Sequence, residues 1–368
     1  MQQAVARRLR LQSQGLGQTK HRDVTSAVGA AIGVQAQDNA AFALALRVRT
    51  EGTLASDVTA ALVEDRSIIR TWAMRHTIHL MASDDVRWIL ALLGPRNIAA
   101  GRGRRAQLGL TDDVSARGLR ALTAVLAHGP LTRAAIIEGL AKRGVQMDPR
   151  SQAPVHLIAV AAMSGLVCGG PRIGSKDSHV LLDDWLTGAK PPPSDPMAEL
   201  ATRYFTTYGP ARDSDFAFWT GIPLGQARQA MAAIGTALTE VSVDGKAMWL
   251  VARASEAAAG AARSALLLPR FDNYYLGYRD RELILSGDSG QPLHGNGGII
   301  PATVVVNGRI VATWTVTRRR AVASMVVQPL ERVDRSAIEP LERECADVGR
   351  FLGFATELTW GTGGRTQR

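Results

Sequence analysis

SARGLRALTAVLAHGPLTRAAIIEGLAKRGVQMDPRSQAPVHLIAVAAMSGLVCGGPRIGSKDSHVLL occupies residues 115–182. Its first part, 115–129, has the apolar spacing of a helix, and Gly129-Pro130 stops it. Thr132 then sits where a helix N-cap belongs, ahead of apolar positions at helical spacing in 132–144, and an apolar third helix follows over 153–165. Residues 166–182 place two β-prone ends around a Gly/Pro/Ser/Asp turn. Helix, helix, helix, hairpin is the order of a winged helix.

The same order returns about 80 residues later: PMAELATRYFTTYGP (196–210), ARDSDFAFWTG (211–221), PLGQARQAMAAIG (223–235) and TALTEVSVDGKAMWLVA (236–252). Gly-Pro at 129/130 and 209/210 sets the register of the two copies. Asp244-Gly245 between alternating apolar residues marks a tight hairpin, because both turn positions need positive φ. A first copy fits residues 1–95, with helices near 24–34 and 39–49, a capped helix after Thr53, and RTWAMRHTIHLM (70–81) as two strands. PPPSDP at 191–196 is a stiff linker. Beyond residue 264 the chain turns to short strands (ALLLPR, ELILS, TVVVNGRIVATWTVTRR, ASMVVQPL), with a hairpin at Asn307-Gly308 and a last helix over 335–353. The expectation is an α+β protein of three tandem winged-helix (HTH) domains and a C-terminal β-barrel-like domain, divided as 1–112, 113–190, 195–262 and 263–368.

Composition narrows the function. No run approaches the length of a membrane span, and the N-terminal MQQAVARRLRLQSQGLGQ has no apolar core of a secretion signal, so a cytoplasmic protein is expected. Cys168 and Cys345 stand far apart, which argues against a disulfide framework, a cysteine zinc site and redox chemistry. The net charge of +10 rests on 43 basic residues, only five of them lysine. Arginine suits bidentate contact with phosphate, so a polyanionic partner is plausible. A genomic bias explains arginine over lysine equally well, but not the positive balance.

Few residues offer chemistry. In VQAQD (34–38) an extended backbone puts the amides of Gln35 and Gln37 on one side, and Asp38 precedes an apolar helix as its natural N-cap. Read from the residues alone, the two amides are better explained as bonding the neighbouring backbone. His76 and His79 resemble a metal pair, but alternation through HTIHL sends them to opposite faces, so no metal is expected. No nucleophile elbow, phosphate loop or dinucleotide loop appears, and GNGGII (295–300) reads as turn chemistry.

VQAQD at 34–38, RTWAMRHTIHLM at 70–81, LLPRFDNYYLGYRDR at 267–281 and GGIIPATVVVNGRIVATW at 297–314 together resemble the AlkZ-like alkylpurine DNA glycosylases. The resemblance implies a monofunctional enzyme that removes N7-alkylated purines, with crosslink unhooking in some members. It places the family's catalytic Gln-apolar-Gln motif on Gln35, Ala36 and Gln37. Glutamine rather than aspartate at the last position points to the toxin self-resistance branch.

That chemistry suits amides. N7 alkylation makes the purine a cationic leaving group, so no strong general acid is needed. What remains is to hold a water against the anomeric carbon of an oxocarbenium-like sugar, which Gln37 does in this reading while Gln35 orients the water or touches the lesion nucleotide. The duplex backbone is then gripped by Arg70, Arg75, Arg279 and Arg281, with Tyr275 stacking, and the third helices of the winged units supply groove contacts. The expected partner is double-stranded DNA bound by a monomer on the nucleoid, with no cofactor and no obligate protein partner. The alternative is a non-catalytic winged-helix DNA-binding regulator.

Overall fold

Thr111 caps the first helix of the fold-deciding segment, its hydroxyl accepting from Val114 N, so that helix runs Asp112–Leu126 with Asp112 and Asp113 against its positive end. The computed structural model describes residues 1–186, 188, 190–251, 265–285, 293, 298–319 and 322–361. They form two compact units: residues 59–196, and residues 1–58 together with 197 onward.

In the unit 59–196, the helix Asp112–Leu126 is followed by the strand Leu131–Thr132 and the helices Arg133–Ala141 and Ala153–Met163. Thr132 caps Arg133–Ala141 through Ala135 N, as its position implies. The strands Val167–Ile173 and Lys176–Leu181 then pair antiparallel, and Leu131–Thr132 adds to Lys176–Leu181. Leu122, Leu126, Ile136, Leu140, Leu157, Ile158 and Val167 close the core. The third helix departs from its expected role. Nine of the 11 residues of Ala153–Met163 are buried, leaving no solvent face to lay in a groove. The sequence foreshadows this, since APVHLIAVAAM carries no charged residue other than a titratable histidine. Gly94, in the helix Ser83–Ala100, brings that helix so close that a Cβ there would collide with the Met163 carbonyl oxygen. RTWAMRHTIHLM does form a hairpin, Ile68–Trp72 with Ile78–Ala82, turning through Arg75 and His76 at φ 51° and 59°.

The other unit opens with a helix the sequence reading passed over, Gln3–Ser13. It is seated by Arg10, whose Nε donates to Pro210 O (2.9 Å) and whose guanidinium lies 3.7 Å over the Tyr278 ring. Val24–Ala31 and Asn39–Arg47 follow. After residue 196 come the helices Pro196–Tyr208, Asp213–Thr220 and Leu224–Ile234 and the hairpin Leu238–Val243/Lys246–Val251. Asp244 and Gly245 take φ 48° and 77° at its turn, as a two-residue hairpin of this hand demands.

The C-terminal segment is an open, half-barrel sheet of five strands rather than a closed barrel. Ala265–Leu268, Ala302–Val306, Arg309–Arg319 and Val322–Pro329 are successive antiparallel neighbours, and Ala355–Trp360 adds parallel to Val322–Pro329. The helix Ile338–Leu352 supplies the crossover a parallel pair requires. ELILS is not a strand: Leu283 and Ile284 are buried in a turn, and Ile284 O accepts from Ile310 N (2.8 Å). The first half of GNGGII, 295–297, lies outside the described residues, and Gly298 takes φ 76°. Among the described residues no helix is long and apolar enough to cross a membrane, and no group of histidine, cysteine and carboxylate side chains could hold a metal ion.

Candidate active site

The QAQ segment is held from three sides within the unit formed by residues 1–58 and 197 onward. Ala36 is fully buried beneath the segment, while Gln37 is exposed and Gln35 is 8 % exposed. The two amides meet: Gln35 Nε2 donates to Gln37 Oε1 at 2.8 Å. That leaves the second lone pair of Gln37 Oε1 and the Gln37 amide N–H groups free of this bond. Asp38 is an N-cap, its Oδ1 accepting from Ala40 N and Ala41 N at 3.0 Å each. Its Oδ2 lies 3.6 Å from Arg270 Nη1. Bonded to two amides, set at a positive helix end and facing a guanidinium, this carboxylate is committed as an acceptor.

LLPRFDN supplies the rest of the frame, and none of its roles was read in advance. Asn273 Oδ1 accepts from Gln35 N (3.4 Å), and its Nδ2 donates to Gly33 O and to Tyr208 Oη at 2.7 Å. Tyr208 in turn donates to Ala31 O at 2.9 Å. Burial pushes its phenol well above the ordinary range, so it stays protonated and can donate. Asp272 takes both guanidinium nitrogens of Arg49 at 2.8 Å, a pair 1–2 % exposed. Burial alone lowers the Arg49 pKa, but the Asp272 carboxylate more than offsets it and holds the charge. One buried ion pair and one buried asparagine thus tie residues 272–273 to both flanks of the glutamines.

The expected DNA contacts divide between the units. Arg279 is exposed, and its backbone N–H donates to Asp215 Oδ1 (2.9 Å). Arg281 is half-buried, with Nε on Tyr275 O (3.1 Å) and its guanidinium 4.3 Å over the Tyr275 ring. Tyr275 itself is 2 % exposed and accepts from Leu293 N, so its ring packs the segment and offers no face for stacking. Arg70 belongs to the unit 59–196 and is paired with Asp177 (2.7 Å) at the wall of a cleft of about 820 Å³ that Trp72 and His179 also line. Arg75 occupies the left-handed turn of the hairpin, half-buried. His76 lies in that turn, while His79 is on the strand, buried, and pushed down to about 3 by desolvation.

The arrangement, neighbouring amides beside a carboxylate already engaged as a helix cap and ion-pair partner, is one suited to a substrate that brings its own leaving-group activation. The fold superimposes on that of the DNA glycosylase AlkZ of Streptomyces sahachiroi with a TM-score of 0.79 at 23 % identity, over 98 % of this chain and all of that one. The chain belongs to the AlkZ-like DNA glycosylase family, whose model matches residues 28–351, and it is a DNA glycosylase. It is also 30 % identical over 289 residues, 73 % of this chain and 75 % of the relative, to an interstrand DNA cross-link repair glycosylase of Streptomyces sahachiroi.

Proposed function

We propose that this glycosylase hydrolyses the N-glycosidic bond of N7-alkylated purines in duplex DNA, taking bulky guanine adducts or interstrand crosslinks of a natural-product genotoxin. Gln37 Oε1 holds the water against the anomeric carbon. Gln35, bonded to that same oxygen, fixes the amide plane so that the remaining lone pair is aimed at the water. The amide pair is the observation that carries the reading, together with the absorption of Asp38 as cap and ion-pair partner. With Asp38 engaged in this way, catalysis relies on a purine that is already cationic and leaves without protonation. The crosslink substrate is supported by the name of the curated relative. Hydrolysis is read as monofunctional, since none of the five lysines stands near the glutamines in sequence.

The three helix-helix-helix-hairpin modules are read as winged helices that present their hairpins and loops to a monomer's duplex. The buried helix Ala153–Met163 contributes stiffness rather than base contacts. Arg279, Arg281, Arg75 and Arg70 are proposed backbone contacts, Arg70 by exchanging Asp177 for phosphate.

Incubation with a duplex carrying N7-methylguanine, followed by release of the free base and of alkali-labile strand breaks, tests the reaction. Gln37→Ala is expected to lose about 100-fold in single-turnover rate. Release at the wild-type rate by that variant removes Gln37 from the mechanism. Equal release of a neutral base such as uracil contradicts the dependence on a cationic leaving group.

A further inference from the structure

A cluster of two guanidiniums and two imidazoles in the unit 59–196 has no part in the site above. It is assembled from the hairpin turn, the RGRR stretch at 102–105 and the first turn of the helix Ala153–Met163. Arg105 and His76 converge on Gly101, where a Cβ would come within 2.9 Å of Arg105 Nη1 and of His76 Cε1. Arg104 Nη2 donates to Oε1 of Gln152, the helix N-cap residue, at 2.9 Å. His156 stands one turn in, its N–H on Gln152 O.

The charges are poorly neutralised. Asp112 is the acidic residue that acts on Arg105, and it is already paired with the exposed Arg102. Among the described residues the Arg105 guanidinium has no hydrogen bond or ion pair, although the residue is only 7 % exposed. The guanidiniums also make the imidazoles harder to protonate. Burial, Arg105 and His156 hold His76 below its ordinary value, and burial, Arg104 and Arg105 do the same to His156. Such mutual repulsion on a folded surface is relieved by an anion at its centre, and the positive end of an 11-residue helix adds to the field.

We propose that His76, Arg104, Arg105 and His156 form a seat for one phosphodiester of the duplex backbone. The seat rests on the reading that duplex DNA is the substrate, but not on the chemistry at the glutamines. Two guanidiniums and two imidazoles around a helix start match an oxyanion with several acceptor oxygens. The seat fixes where the duplex lies on this unit and carries no sequence information.

The test is binding of unmodified duplex by fluorescence anisotropy across a range of KCl, with wild type, Arg104→Gln, Arg105→Gln and a charge-matched Arg335→Gln protein. Base release plays no part, so the outcome is independent of Gln35 and Gln37. Arg104→Gln is expected to weaken binding about tenfold and to make the log–log salt slope shallower by about 0.9, the loss of one phosphate contact. Arg104 is exposed, so this variant keeps the test valid if Arg105→Gln unfolds. An unchanged slope, or an equal change in the charge-matched protein, overturns the seat while leaving the glycosylase reading intact. Heat protection of wild type but not Arg104→Gln by inorganic phosphate, with duplex binding alike in both, assigns the seat to free phosphate and overturns the DNA assignment.

Discussion

His79 and His179 are imidazoles kept from water, 4 % and 9 % exposed, and desolvation pushes their pKa values from 6.5 down to about 3 and about 4. The unfolded chain therefore binds more protons than the native one in that interval, and stability rises with pH there. Their contribution is complete above about pH 6.5 and is lost as the pH falls toward 4 and 3. At about pH 5 each imidazole should lower stability by about 2 kcal/mol relative to pH 7, from 1.36 kcal/mol per pKa unit. Urea unfolding at the two pH values should show the loss, reduced in His79→Gln and His179→Gln; a midpoint that does not move in the wild type refutes it. At this scale legibility was uneven. The Asp38 cap was readable because its partners lie two and three residues away, at Ala40 and Ala41. Gln35 and Gln37 stood out as a pair by their spacing but gained a catalytic role only through a family resemblance, since residue type alone gives an amide no catalytic signature. Asp272 and Asn273 were invisible as supports because Arg49 is 223 residues from Asp272 and Gln35 is 238 from Asn273.

Close crossing of two helices explains why the element order came out of the sequence but the exposure of one helix did not. Caps, Gly-Pro breaks and Asp-Gly or Asn-Gly turns are local, and they fell where Thr132, Gly245 and Gly308 indicated. The partner of an apolar helix is not local, and Ala153–Met163 is covered by Ser83–Ala100 through Gly94. Gly94→Ala isolates that contact. Helix propensity favours alanine by about 1 kcal/mol, but the added methyl meets a backbone carbonyl that cannot rotate away. A net loss of about 1–3 kcal/mol in thermal or urea unfolding is expected from overpacking. Gly103→Ala is the comparison, because a Cβ there meets nothing within 4 Å, and it should be neutral or stabilising by up to about 1 kcal/mol. Equal effects of the two substitutions would mean that the crossing does not set the packing.

The path of the whole chain was the least legible feature. PPPSDP marks the end of the unit that closes at Pro196, but nothing local says that residues 1–58 fold with the segment from 197 onward. Charged side chains make the closure. Arg47, with a side chain 0 % exposed, donates to Glu344 (2.9 Å), Asp347 (2.8 Å) and Leu267 O (3.2 Å). The helix that carries Glu344 and Asp347 also carries Cys345, 2 % exposed, while Cys168, 1 % exposed, lies in the unit 59–196. Each unit therefore holds its own buried thiol, whose alkylation under native conditions reports local opening. Arg47→Met removes the charge-assisted bonds and returns Glu344 and Asp347, 14 % and 33 % exposed, to water, at a loss of about 2 kcal/mol. Cys345 should then label about 30-fold faster, since 1.4 kcal/mol is tenfold, and Cys168 should change less. Peptide mass spectrometry after timed alkylation separates the two rates. Equal acceleration of both thiols would show that the molecule opens as a single cooperative body and that residues 1–58 do not belong preferentially to the C-terminal fold.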